Sequence, residues 1–131
     1  MKGAFGLFAG LLLMLAVTQL QAAGSWVAAA PPVHVGLVER ETTSEPLGPL
    51  GSEADNGVIR TVRWRYLQPV GSELNIRLCH PRGCVPLSAM RGTSRAFEGL
   101  AADVPMKLHL SLVHGQGPII IDGIQVIVNY R

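Results

Sequence analysis

The sequence predicts an all-β fold: a small antiparallel β-sandwich, with a partly open barrel as the alternative and one hairpin pinned by a disulfide. Three observations carry this. Apolar and polar residues alternate with period two around Trp64, Ile76 and Leu110, turn punctuation separates these runs, and no stretch has the 3.6-residue periodicity of a long amphipathic helix. Six or seven short strands are expected, with no internal repeat.

The chain opens with Met1-Lys2, then an apolar run from Ala4 to Val17 that Gly6 and Gly10 interrupt. A positive start, an apolar centre too short for the roughly 20 residues of a membrane span, and small residues at Ala22, Ala23 and Gly24 predict an export signal over residues 1–22, cleaved within 22–24. Nothing charged follows to stop transfer, so no stable membrane insertion is expected after cleavage, and the expected location is the periplasm. Residues 23–131, about 109 in number (131 − 22), then form one domain large enough for a hydrophobic core.

Within that domain, Val33 to Val38 reads as a strand, and a Pro/Gly-rich surface loop follows over about 39–57, ending at the turn dipeptide Asn56-Gly57. Next comes a half-buried strand with Val58, Val62, Trp64 and Tyr66 on one face and Ile59, Thr61, Arg63 and Arg65 on the other. After the break at Pro69-Val70-Gly71, Leu74, Ile76 and Leu78 alternate with Asn75, Arg77 and Cys79. Cys84 to Leu87 should pair with that strand at a sheet edge, where Pro86 is tolerated, leaving His80-Pro81-Arg82-Gly83 as the hairpin loop. Ser88 to Asp103 suggests a short helix, with Phe97 and Leu100 closing one end of the core. A long strand from Met106 to Val113 follows, then Ile119–Ile121 and Ile124–Tyr130, separated by a turn at Asp122-Gly123. In the last strand Ile124, Val126, Val128 and Tyr130 should share one face, and Gln125, Ile127 and Asn129 the other.

The cysteines number two and lie five residues apart in an exported chain, which predicts a structural Cys79–Cys84 disulfide. The C-x-x-C spacing of a redox pair is absent. Loss of Lys2 leaves 10 basic and 9 acidic residues, a net +1. Only Arg60, Arg63 and Arg65 approach a basic stripe, so no nucleic-acid partner is expected. His109 and His114 point to opposite faces of a continuous strand, and His34 and His80 have no carboxylate at a diagnostic spacing, so all four are read as surface histidines rather than metal ligands. Ser111 has no nucleophile elbow, the acidic residues form no pair of the kind used in glycoside hydrolysis, and no Gly-rich loop could cradle phosphate. These readings predict a non-enzyme without metal or cofactor. Arg63, Arg65, Tyr130 and Arg131 are the candidate partner-binding residues, because Arg and Tyr recur as interface anchors.

The residues also resemble a known family. Trp64-Arg65-Tyr66, Arg77-Leu78-Cys79 with Cys84-Val85, Gly92-Thr93 with Phe97, and the terminal Gln125-Val126-Ile127-Val128-Asn129-Tyr130-Arg131 are similar to the FlhE family of exported flagellar accessory proteins. The resemblance runs from Trp26 to the end, and the stretch from Pro31 to Gly51 departs from the family's pattern. It implies a non-enzymatic protein beside the flagellar export apparatus and rod. Such a protein would act as a chaperone that prevents premature assembly of rod or hook subunits or, alternatively, as a regulator of proton leak through the export gate. Its partners would be those subunits or export-apparatus proteins. A carbohydrate-binding envelope module is a third reading, but it needs a platform of exposed aromatics, and the chain has seven aromatic residues in all, with Trp64 and Tyr66 assigned to the core.

Overall fold

The computed structural model describes residues 23–131, so the expected export signal lies outside the described residues. Among the described residues nine strands form: β1 (Gly24–Ala30), β2 (Val33–Val35), β3 (Thr42–Thr43), β4 (Ile59–Leu67), β5 (Leu74–His80), β6 (Gly83–Pro86), β7 (Arg91–Ser94), β8 (Lys107–Leu112) and β9 (Ile119–Tyr130). They make two antiparallel sheets. One runs β1-β9-β4-β7, with β2 also paired to β9; the other runs β3-β8-β5-β6. The sheets face each other as a sandwich and do not close into a barrel.

The core is the product of strand alternation. Val62 and Tyr66 of β4, Trp26 of β1, and Ile124, Val126, Val128 and Tyr130 of β9 point inward from the first sheet. Ile76 and Leu78 of β5 and Leu108, Leu110 and Leu112 of β8 meet them from the second. In β9 the buried and part-exposed residues alternate from Ile124 to Tyr130 as the sequence predicts. Strand β9 is the spine of the fold because it pairs with β1, β2 and β4. The C-terminus is tied down by reciprocal backbone hydrogen bonds between Val58 and Arg131, at 2.9 and 3.0 Å.

Several expectations are corrected. Asp122-Gly123 is not a hairpin turn but a bulge inside one continuous strand. Arg65 pairs with Gln125 and Leu67 with Asp122, so β9 carries one residue more than β4 there. Gly123 supplies the left-handed φ of 59° that this bulge requires. A second bulge, at Arg60, places the extra residue on β4 between the pairs Ile59–Tyr130 and Thr61–Asn129. It inverts the alternation expected at the start of this strand. Ile59 is buried, and Arg60, which unbroken alternation from Val62 would turn into the core, is exposed.

The expected short helix between Ser88 and Asp103 is instead the edge strand β7 followed by tight turns, with hydrogen bonds from Glu98 N to Arg95 O and from Leu100 N to Phe97 O. Phe97 is nevertheless buried and Leu100 packs against the core. The hairpin loop narrows to Pro81-Arg82, because His80 and Gly83 are paired. The 39–57 loop is more ordered than its composition implies. It contributes β3, buries Leu47 and Ala54, and exchanges two 2.8 Å backbone hydrogen bonds between Leu47 and Met106.

Candidate partner-binding surface

The outward face of the first sheet is built by two cross-strand rows. Thr93, Arg63, Ile127 and Val27 stand side by side across β7, β4, β9 and β1, and Arg91, Arg65, Gln125 and Ala29 form the next row. The register follows from β4, whose inward residues Val62 and Tyr66 send Arg63 and Arg65 outward. All of Arg63, Arg65 and Arg91 are exposed, and they line a shallow depression of about 380 Å³ with Trp64, Gly92, Thr93, Gln125 and Ile127. Beyond it lies a second depression, bordered by Ser25, Arg60, Thr61 and Asn129, where Asn129 Nδ2 donates to Thr61 Oγ1 at 2.9 Å.

Of the residues singled out from sequence, Arg63 and Arg65 therefore share this face. Tyr130 does not join them. Its ring is buried over two glycines: a Cβ at Gly24 would stand 2.7 Å from Tyr130 Oη, and one at Gly57 would stand 3.1 Å from Cδ2. Arg131 has an exposed side chain on a backbone fixed to Val58. Arg60, noted from sequence only as part of a weak basic stripe, and Arg91 are not among the candidate binding residues read from sequence. The signal for Arg91 was there, since Arg91-Gly92-Thr93-Ser94 can be read as a short strand with Arg91 and Thr93 on one face.

The other sheet handles its cations differently. Glu41 bridges Arg77 Nη2 at 2.5 Å and His109 Nδ1 at 2.6 Å, so one carboxylate serves two cationic or donor groups on that outward face. The hydrogen bonds from His109 and then Arg77 hold the Glu41 carboxyl below the usual carboxylate range. The loop assigned no chemistry from sequence thus supplies a charge partner.

His80 corrects the reading of all four histidines as surface groups. It is buried, and it accepts the Arg82 backbone N–H at Nδ1 (3.1 Å) while its Nε2 lies 2.9 Å from Ala101 O. A ring that accepts at Nδ1 carries its proton on Nε2 and donates it to that carbonyl, so His80 staples the hairpin to the Ala101 loop. Cys79 and Cys84, opposite one another in register, form the disulfide. Burial pushes the Tyr66 hydroxyl up from its ordinary value. Among the described residues no cluster of three or more His, Cys, Asp or Glu is arranged to hold a metal ion. No helix among them is long and apolar enough to cross a membrane.

Fold and surface together define a compact, disulfide-containing β-sandwich whose distinctive feature is an arginine-lined sheet face. The chain belongs to the FlhE family of flagellar proteins: the family model "Flagellar protein FlhE" matches residues 36–131, including most of the loop that departs from the pattern in sequence. Curated relatives named flagellar protein FlhE are 32% identical in Escherichia coli strain K12, over 92% of this chain and 95% of the relative. In Yersinia enterocolitica the figures are 33%, 84% and 83%. A solved structure described as the crystal structure of FLHE superposes with a TM-score of 0.73 at 28% identity, over 84% of this chain and 98% of its own.

Proposed function

We propose that this flagellar protein is a periplasmic accessory factor that keeps rod or hook subunits from assembling prematurely, acting as a chaperone rather than as an enzyme. The observation that carries the reading is the free edge of β1. Among the described residues its seven residues pair with β9 on one side only, and they include neither proline nor charge, two of the devices that ordinarily protect an edge. The other edges are short: β7 has four residues and starts with Arg91, β3 has two, and β6 has four, ends in Pro86 and is held by the disulfide. An exposed edge of that length can receive an extended segment by main-chain hydrogen bonding, which suits a client held before it polymerises. The signal-like N-terminus and the disulfide support an exported, oxidising location.

The deciding experiment adds purified protein to rod or hook subunits and follows polymerisation. A chaperone binds the subunits and delays assembly in proportion to occupancy. A regulator of proton leak binds the membrane export complex and changes proton flux when subunits are absent. If leak responds to added protein while subunit assembly does not, the gate reading replaces the chaperone.

A further inference from the structure

The strands of the first sheet carry Arg60, Arg63, Arg65 and Arg91 against a single carboxylate, Asp122: four positive and one negative, in a domain whose net charge is only +1 (10 − 9). Among the described residues none of the four arginines forms an ion pair; the salt bridges there belong to Arg77, Arg95 and His109. Asp122 accepts from the N–H of Gly123 at 2.7 Å and sits at the far side of the bulge from Gln125.

Arg65 and Arg91 are direct cross-strand partners. Opposed residues in an antiparallel pair have Cβ atoms about 4.5–5.5 Å apart, and like charges in that position destabilise a sheet. Glu41 relieves the corresponding problem on the opposite sheet, yet among the described residues no carboxylate does so here. Local conflicts without an internal remedy are typical of functional surfaces.

We infer that the outward face of the β7-β4-β9 strands is a docking site for an acidic, extended segment of a protein partner, with Arg63, Arg65 and Arg91 as its anion-binding core and Arg60 as its extension. The spacing suits that occupant. Arg63 and Arg65 stand two residues apart on one strand, about 6.6–6.8 Å, which is the repeat of same-face side chains in another extended chain. Guanidinium groups bind carboxylates in a bidentate fork, Gln125 and Asn129 add amide donors, and part-exposed Ile127 and exposed Val27 give such a segment apolar contact. A membrane surface fits less well, because the one large aromatic lining the depression, Trp64, is tethered to Ala89 O and packs against the core, and no Phe or Leu joins it there to insert between headgroups.

The probe is an eight-residue peptide of alternating Glu and Thr, which puts its carboxylates on one side when extended, compared with its Gln-Thr counterpart. Titrated into the purified protein, the Glu peptide should shift the amide signals of Arg63, Arg65, Arg91, Gln125 and Ile127, and the Gln peptide should bind at least tenfold more weakly. Arg63→Ala with Arg65→Ala should reduce affinity at least tenfold, whereas Arg82→Ala should leave it unchanged. Arg91→Thr should weaken binding several-fold while raising Tm, since it relieves the opposition with Arg65; a purely structural arginine would lower Tm when removed. Equal affinity for Arg63→Ala/Arg65→Ala with native spectra, or shifts confined to other faces, would overturn the inference. So would retention on phosphatidylglycerol vesicles without peptide binding, which would indicate a lipid site. The inference does not depend on chaperoning, because subunit assembly and peptide binding are read in separate assays.

Discussion

The Trp64 indole packs against Gly92, its partner on the neighbouring strand, so closely that a Cβ at Gly92 would land on ring atoms Cζ2 and Cη2. The ring is also tethered, since Nε1 donates to Ala89 O at 3.0 Å. Gly92→Ala must push the indole off the sheet or bend β7 away. A loss of about 1–3 kcal/mol is expected, the usual cost of forcing extra volume into a packed site. A denaturation midpoint within error of the parent would refute it, and the Trp64 fluorescence should change in parallel.

The disulfide should matter for stability and little else. Closing a loop of six residues contributes about 2 kcal/mol in the chain-entropy model. His80 holds the same hairpin to Ala101 independently. Replacing both cysteines by serine should therefore lower the unfolding free energy by about 2 kcal/mol or less and leave a cooperative transition. Loss of that transition would mean the bridge organises more than β5 and β6.

Truncation before Gln125 should abolish folding. It removes Val126, Val128 and Tyr130 from the core and strips β1 and most of β4 of their shared partner. Typical domains are stable by only about 5–15 kcal/mol, and losing three buried side chains at about 1.5–3 kcal/mol each, with the ladder, consumes that margin. A soluble product with a cooperative melt would show the segment to be dispensable.

Acid should weaken the clasp between the 39–57 loop and the second sheet. Because Glu41 has its carboxyl pKa lowered in the folded protein, it adds stability above its ordinary value of 4.5 and loses that contribution as pH falls through the depressed folded value. The carboxylate is exposed and screened, so the effect is modest. It should appear as a steeper acid limb of stability in the parent than in Glu41→Gln. Identical limbs would exclude Glu41 as a contributor.

What could be read from sequence followed alternation and turn chemistry. Ile124 to Tyr130, Leu74 to Cys79 and Met106 to Leu112 were legible because their buried residues recur every second position. Two bulges broke that rule at Arg60 and Gly123, and a bulge is invisible until the partner strand is known. Strand β1 was concealed because Gly24 to Ala30 is rich in Gly, Ser and Ala and opens a stretch whose composition marks no strand before Val33, and its pairing depends on β9, about 100 residues away in sequence. The arginine face was half legible: Arg63 and Arg65 came from one strand's alternation, but Arg91 joins them only through tertiary register.

The β1 edge and the arginine face can be separated by one pair of substitutions. Val27 and Ala29 are exposed on β1 and lie in the same cross-strand rows as Arg63 and Arg65, so Val27→Lys with Ala29→Lys adds two cations to the face while placing lysines on the edge strand. Both positions point away from the core, so stability should change by no more than about 0.5 kcal/mol. Edge lysines discourage strand addition, so the delay of subunit assembly should shrink several-fold. The same cations should strengthen binding of the Glu-Thr peptide several-fold, with the gain lost at high salt. If subunit assembly is delayed as strongly by this variant as by the parent, clients do not use the β1 edge. If peptide affinity falls together with chaperoning, a single surface serves both, and edge and face are not independent sites.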